Sequence, residues 1–147
     1  MTNYQWGGGK YLIINEIIKE IKIDYGETKD YKFFCFGGKV RFFKIDYGRF
    51  HQHYANYYSP EGELLPFGES DFPPQSSHVE QMPENLCMMI QTAEKLSEGH
   101  KFLRVDLYSI SGKIYFGELT FYPAGGLGKF TPDGYDLKIG NLLDLTI

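Results

Sequence analysis

The strongest constraint on this chain is a pair of alternating segments, residues 102–108 and 114–121, separated by a short stretch around Ser111-Gly112. Successive residues of a β-strand point to opposite faces of a sheet. In the first segment, Arg104 and Asp106 therefore share one face. The other face carries Leu103, Val105 and Leu107. The pattern predicts an antiparallel hairpin with one apolar face and one mixed face.

The length of the hairpin connection decides which side chains meet across the two strands. A two-residue Ser111-Gly112 turn would pair Val105 with Glu118 and bury that carboxylate among leucines, which is costly. We therefore predict a three-residue connection. That connection would place four polar side chains on one side of the sheet: Arg104, Asp106, Glu118 and Thr120.

Two interpretations of these charges are open from the residues alone. A carboxylate and a guanidinium on neighbouring strands form ordinary cross-strand ion pairs. A pair of carboxylates is also what Mg²⁺ requires, because this ion takes one or two protein carboxylates and completes its shell with phosphate oxygens and water.

The N-terminal half of the chain predicts further strands. Residues 11–23 begin with an apolar run rich in β-branched residues, which favours a strand. Residues 31–36 and 39–45 flank Gly37-Gly38 and predict a hairpin, because glycine readily adopts the positive φ of a tight turn. Residues 46–81 show no period, which is typical of a long ordered loop or lid.

The C-terminal half adds two helices. Pro83 at a first helical position, an apolar stripe and the stop signal of Gly99 predict a helix over residues 83–97. A glycine-rich loop follows the second hairpin at residues 123–130. Thr131-Pro132-Asp133 predicts an N-cap and first turn of a terminal helix that ends near Leu143. The expected class is α+β, an antiparallel sheet with two packed helices.

Composition narrows the function classes. The 147 residues suffice for a single domain, and twelve Tyr with twelve Phe favour a sheet core. A formal net charge of −4 argues against a nucleic-acid partner. No stretch reaches the ~20 apolar residues of a membrane span, and Met1 to Lys10 do not resemble a signal peptide. Two cysteines beside apolar neighbours fit a reduced, cytoplasmic protein.

Several segments resemble a known enzyme family. Arg104-Val105-Asp106, then Gly112 to Phe116, Glu118 and the Pro123-Ala124-Gly125-Gly126 loop are similar to the metal-site region of D-alanine:D-alanine ligase and its ATP-grasp relatives. The longer string from Phe102 to Phe130 is closer still to the TupA-like ATP-grasp family. Together with the segments from residue 30 to 39 and 93 to 97, the resemblance covers roughly residues 11 to 143.

The resemblance implies ATP and Mg²⁺ as cofactors and a role for particular residues. Asp106 and Glu118 would hold magnesium, with Thr120 where many ATP-grasp enzymes carry Asn. Arg104 and the backbone amides near Gly125 and Gly126 would stabilise charge during catalysis. The backbone of a hinge segment would hold adenine, and its residues are Glu16, Ile17 and Ile18.

The family further implies a carboxylate ligase that joins a small-molecule carboxylate to a sugar or amino-acid acceptor in surface polysaccharide synthesis. Residues 1–147 would form one domain, the C-terminal part of such a module. Lys10 and Lys19 lie too close to the hinge-like segment to serve as lid lysines. Either the chain is a fragment or shortened paralogue, or a second polypeptide supplies the lid lobe. Two alternatives stay open: a non-catalytic remnant that binds nucleotide or a glycan precursor, and a protein that carries the label glycosyltransferase.

Overall fold

A computed structural model describes residues 29–48 and 53–146 of the chain. The described residues form an α+β arrangement, and the expected fold class is confirmed. Its elements in chain order are β1 (Asp30–Phe36), β2 (Lys39–Tyr47), β3 (Tyr54–Tyr58), β4 (Gly68–Glu69), α1 (Leu86–Leu96), β5 (Phe102–Ile110), β6 (Lys113–Thr120), a 3₁₀ turn (Pro123–Gly126), β7 (Phe130–Thr131) and α2 (Tyr135–Gly140).

Within residues 29–48 and 53–146, the main sheet has five antiparallel strands in the order β3-β2-β1-β5-β6, and β4 pairs with β7 in a small second sheet. The first predicted hairpin is confirmed. Gly37 and Gly38 form its two-residue turn with φ of 57° and 74°, values that residues with a Cβ rarely adopt. Every residue of the central strand β1 is buried.

The sheet is covered on both faces, and the alternation along β1 shows how. Phe33 and Cys35 face one side, where they pack with Met89 and Ala93 of α1. The alternate residues of the strand face the other side, where a second cluster collects Phe34, Phe36, Phe42, Tyr57, Phe67 and Ile139. Buried aromatic residues of the described part of the chain therefore contribute to two cores, one on each face of the sheet.

The prediction of a long loop over residues 46–81 was wrong. Strand β2 runs on to Tyr47, β3 pairs with it, and β4 lies within the same stretch. Strand β3 lacks an alternating pattern because both of its faces are covered, and its Tyr57 and Tyr58 are fully buried.

A buried asparagine in β3 fixes the stretch that follows β4. Asn56 is fully buried, and its Oδ1 accepts a hydrogen bond from the backbone N–H of Gln75 at 2.8 Å. Its Nδ2 donates to the carbonyl oxygens of Gln75 and His78, each at 3.0 Å. One amide side chain thus uses both of its functional groups to hold this segment against the sheet.

Both helices are shorter than predicted. Helix α1 begins at Leu86, because residues from Pro83 form a turn in which the Leu86 N–H donates to the Pro83 carbonyl at 3.0 Å. Helix α2 covers only Tyr135–Gly140, because Thr131 belongs to β7 and the chain is still extended there. The stripe of α1 buries Met89 and Ala93 as predicted, and Gly99 adopts a φ of 80° just past the helix.

Two further predictions concern the N-terminal segment and membrane spans. The strand predicted over residues 11–23 lies outside the described residues and stays a prediction. Within residues 29–48 and 53–146, no helix combines the length and the apolar character that crossing a bilayer requires.

Candidate metal and phosphate site

The connection of the second hairpin differs from the prediction, but the polar side chains still lie on one side of the sheet. Ser111 and Gly112 form a two-residue turn between the paired residues Ile110 and Lys113, so the predicted three-residue connection was wrong. The register then shifts between Val105 and Leu107. Strand β6 carries one extra residue there, which is a β-bulge.

Gly117 is the residue that makes this bulge possible. A Cβ at this position would lie 2.9 Å from the backbone oxygen of Asp106, closer than side chains tolerate. Beyond the bulge, Arg104 pairs with Thr120, and Val105 pairs with Leu119 instead of Glu118. The bulge thus avoids the buried carboxylate that a regular two-residue hairpin would have produced.

The four polar side chains do meet on one side of the sheet, with the guanidinium of Arg104 at their centre. Its Nε donates to Oδ1 of Asp106 at 2.7 Å, and its NH2 nitrogen donates to Oδ2 of the same carboxylate at 2.8 Å. The same nitrogen donates to Oε1 of Glu118 at 2.5 Å, and Thr120 Oγ1 donates to that oxygen at 2.9 Å. Two carboxylates therefore face one cationic nitrogen.

Two buried lysines that were not predicted from the sequence complete the site. Lys32 of β1 donates to Asp106 Oδ2 at 2.7 Å and bonds Asp30 as well. Lys44 of β2 lies 3.3 Å from Asp46 Oδ1 and donates to Glu69 Oε1 at 3.1 Å. Both lysines are less than a tenth exposed, although lysine is rarely buried without a partner.

A signal for these lysines was present in the sequence. Lys32 stands between Tyr31 and Phe33, and Lys44 stands between Phe43 and Ile45, so each interrupts an apolar strand. Burial of a charge is costly unless it is paired, so a lysine in the middle of such a strand indicates carboxylates on neighbouring strands. Which strands neighbour each other could not be deduced from the sequence.

The charged side chains form one connected group, which we call the charged cluster: Asp30, Lys32, Lys44, Asp46, Glu69, Arg104, Asp106 and Glu118. Counted over the residues that the structure describes, it contains five carboxylates and three cationic side chains, a formal excess of two negative charges. The cluster opens to solvent at one end, because the Glu118 side chain is 60% exposed and that of Asp106 only 2%.

The pKa values follow from this gradient of burial. Burial raises the pKa of the Asp106 carboxyl, against the opposing effects of Arg104 and Lys32. Burial works to lower the pKa of the Lys32 ammonium, but the Asp30 and Asp106 carboxylates outweigh it and the net shift is upward. At the exposed end, the Thr120 hydroxyl and the charge of Arg104 lower the pKa of Glu118.

The donor set fits magnesium as a partner shared with phosphate. Within the described residues, no group of three or more His, Cys, Asp or Glu side chains is placed to hold a metal without other ligands. Mg²⁺ does not need such a group, since one or two carboxylates suffice when phosphate oxygens complete its shell. Asp106 and Glu118 are two carboxylates around one point of positive charge, with the Thr120 hydroxyl beside them.

The remaining predicted site residues are Gly125, Gly126 and the three residues predicted to contact adenine. Gly125 and Gly126 belong to the 3₁₀ turn and adopt φ of 63° and 77°. The Gly125 N–H is used within this turn, because it donates to the Tyr122 carbonyl at 3.0 Å. Gly126 lines a cavity on the same side of the sheet. The adenine contacts predicted for Glu16, Ile17 and Ile18 lie outside the described residues.

Comparison with known proteins gives one match. The model of a family described as TupA-like ATPgrasp matches residues 4–144, which is nearly the whole chain. Searches of curated proteins and of solved structures each gave no match.

Proposed function

Because this chain belongs to the TupA-like ATP-grasp family, we propose that it acts as an ATP- and Mg²⁺-dependent ligase. The reaction would join a small-molecule carboxylate to a sugar or amino-acid acceptor in cell-surface polysaccharide biosynthesis, in the cytoplasm. Residues 1–147 would form the C-terminal catalytic part of the module.

One observation supports this proposal above the others. The Arg104 guanidinium bridges Asp106 and Glu118, with hydrogen bonds of 2.8 and 2.5 Å from a single nitrogen. A cross-strand ion pair needs only one carboxylate for each cation. Asp106 and Glu118 lie close enough to share one nitrogen, so they supply the one or two carboxylates that Mg²⁺ takes at a phosphate site.

The roles of the residues follow from this arrangement. Asp106 and Glu118 would hold the metal, with Thr120 as a neutral oxygen beside them. Bound magnesium would supply positive charge to the phosphates of ATP. Lys32 holds the buried Asp106 carboxylate in place from the neighbouring strand. Arg104 would contribute its charge to the transferred phosphoryl group.

The chemistry needs two displacements. A carboxylate oxygen of the donor attacks the γ-phosphorus, and ADP leaves with the electron pair of the broken P–O bond. The acyl phosphate that forms is then attacked at its carbonyl carbon by a neutral amine or similar nucleophile. Phosphate leaves with the C–O electron pair, and the nucleophile loses one proton to a base. Backbone amides near Gly126 would stabilise the negative oxygen that develops at this carbon.

Calorimetric titration with ATP tests the proposal. We expect the protein to bind ATP in the presence of Mg²⁺ and at least about tenfold more weakly without it, because the carboxylates repel the phosphates. Glu118→Gln keeps the shape but removes the charge at an exposed position, and should abolish the effect of magnesium. Glu61→Gln, the same change at an exposed site outside the cluster, should bind ATP as the unchanged protein does.

The outcomes separate the alternatives. Magnesium-dependent binding with turnover supports the ligase, and identification of the product then gives its substrates. Magnesium-dependent ATP binding without turnover identifies a non-catalytic remnant. Equal ATP binding by Glu118→Gln and the unchanged protein would contradict the metal site.

A further inference from the structure

A cavity of about 280 Å³ lies on the same side of the sheet as the charged cluster. Its floor is formed by β1 and β5, and its walls by the glycine-rich loop, the segment after β4, and α2. Its volume is close to the lower end of that of small-molecule sites in proteins, roughly 300–1,000 Å³. It is the right size for one ring or one short aliphatic chain.

The lining of the cavity combines aromatic rings with negative charge. Five phenylalanines line it: Phe34, Phe36, Phe72, Phe102 and Phe130. Among the described residues, three carboxylates also line it, those of Glu69, Asp71 and Asp136, against the ammonium of Lys129. The Lys44 ammonium pairs with Glu69 and lies 5.6 Å from the centroid of the Phe72 ring, so Asp71 and Asp136 remain against Lys129. The excess of negative charge disfavours an anionic ligand, so neither a phosphate nor a free carboxylate suits this cavity.

Phenylalanine rings and carboxylates together favour an ammonium group. The face of an aromatic ring attracts a cation, and it offers no hydrogen bond to the hydroxyls of a neutral ligand. Asp136 Oδ1 accepts one hydrogen bond, from the Phe130 N–H at 2.8 Å. A carboxylate has two acceptor oxygens, so this residue can also receive an N–H from a ligand.

The cavity is connected to the charged cluster through shared residues. Glu69 lines the cavity and accepts a hydrogen bond from Lys44 at 3.1 Å. Phe34 also lines it, and its neighbour across the sheet is Arg104. Gly126, whose surroundings the proposed reaction uses, forms part of the wall. A ligand in this cavity would therefore lie beside the phosphate site.

We propose that this cavity binds the acceptor of the reaction, and that the acceptor carries a cationic amine on a ring or aliphatic body. That the ligand is the acceptor rests on the proposed ligase function, whereas the binding of an amine to this cavity does not. The ammonium would lie among the carboxylates of Asp71 and Asp136, and its body would lie against the phenylalanine rings. Loss of a proton to a base would then give the neutral amine that attacks the acyl phosphate.

Two probes of the same shape test the charge requirement. The protein labelled with ¹⁵N is titrated with cyclohexylamine and, separately, with cyclohexanol, while its amide signals are recorded by NMR without ATP or Mg²⁺. We expect the amine to shift the signals of Phe36, Phe102 and Gly126 and to bind about tenfold or more tightly than the alcohol. Equal binding of the two probes, or shifts elsewhere only, would overturn the proposal.

Matched variants locate the site. Asp71→Asn and Asp136→Asn each remove one negative charge and keep the shape, and the amide introduced by Asp136→Asn retains an oxygen that can accept from the Phe130 N–H. Each should weaken cyclohexylamine binding about three- to tenfold. Asp133→Asn removes the same charge at an exposed position that does not line the cavity, and should change the affinity less than about twofold.

Two failures can be told apart. If Asp71→Asn and Asp136→Asn bind the amine as tightly as Asp133→Asn does, the cavity does not recognise its charge and the inference is wrong. If the amine binds as expected, but the affinity for ATP does not depend on magnesium and is unchanged by Glu118→Gln, the amine site is real and the proposed ligase function is wrong.

Discussion

The two ends of one sheet face have opposite chemistry. Lys32 and Phe34 are two residues apart on β1 and point to the same side. Lys32 contacts Asp30 and Asp106, whereas Phe34 stacks on Phe42 with ring centroids 4.7 Å apart. The aromatic end gains free energy from burial, and the charged end requires desolvation that only its pairing offsets. The difference indicates that burial of the aromatic end stabilises the fold, whereas the charged end destabilises it unless its side chains are paired.

The largest expected effect lies at the aromatic end. Phe42 is 3% exposed and contacts the rings of both Phe34 and Phe67. Phe42→Ala should lower the free energy of unfolding by about 3–5 kcal/mol, because it removes a buried ring and leaves a cavity. Urea denaturation measures the change. Leu127→Ala, at a side chain that is 86% exposed, should have an effect below about 0.5 kcal/mol.

The next effect concerns the pairing of the charged end. Lys32→Met keeps the aliphatic stem but leaves the Asp30 and Asp106 carboxylates without this cation, which should cost about 3 kcal/mol at pH 7. Lys113 on β6 is exposed, and Lys113→Met should change stability little. Equal effects of the two substitutions would show that the charged end does not depend on pairing.

The pH dependence of Lys32→Met follows from the direction of the Asp106 shift. Burial already raises the folded-state pKa of Asp106 above its ordinary 3.8, and removal of Lys32 raises it further. A raised carboxyl pKa destabilises the fold above that pKa and ceases to do so as the group is protonated. The deficit of the variant should therefore shrink as the pH falls from 7 towards 3.8. A deficit that grows towards acid would contradict this account.

A smaller effect is expected at the bulge that shapes the charged end. At Gly117, a Cβ would lie 2.9 Å from the Asp106 oxygen and 3.1 Å from the ring of Tyr108. Gly117→Ala should cost about 1–3 kcal/mol and weaken magnesium-dependent ATP binding, because the strand must move. At Gly140, where nothing lies within 4 Å of an added Cβ, Gly140→Ala should leave both properties nearly unchanged.

The smallest expected effect is a change in the pKa of Glu118, at the exposed end of the charged cluster. The Thr120 hydroxyl donates to Glu118 at 2.9 Å and is the largest cause of its lowered pKa. Thr120→Val removes the hydroxyl and should raise the pKa of Glu118 towards its ordinary 4.5, as followed by NMR of the side-chain carboxyl. Thr92→Val, on the exposed side of α1, should leave that pKa as it was.

Local sequence patterns predicted the hairpins and the identity of their polar face. Gly37-Gly38 marks a tight turn, and the alternation around Arg104 and Asp106 identifies the face that carries charge. The bulge was not predicted, although a single glycine within a strand pattern, here Gly117, is the expected signal for one. The alternation predicts a regular second hairpin with a three-residue connection, whereas the structure has a two-residue turn and a bulge.

Features that depend on distant pairing were beyond the sequence. Strand β3 has no alternation because both of its faces are covered, so Tyr57 and Tyr58 resembled loop residues. Lys32 contacts Asp106, which lies 74 residues later in the chain, only because β1 pairs with β5. A single sequence contains the lysine and the carboxylate but not their pairing.

The central claim, that Asp106 and Glu118 hold the metal of bound ATP, is tested most directly by a paramagnetic ion. Mn²⁺ is added in small amounts with ATP to the ¹⁵N-labelled protein, because it uses the same oxygen ligands as Mg²⁺ and broadens NMR signals nearby. We predict that the amides of Asp106, Glu118 and Thr120 broaden first, while Ala93 on the opposite face of the sheet stays sharp. Uniform broadening, or broadening that spares Glu118 and Thr120, would contradict the account.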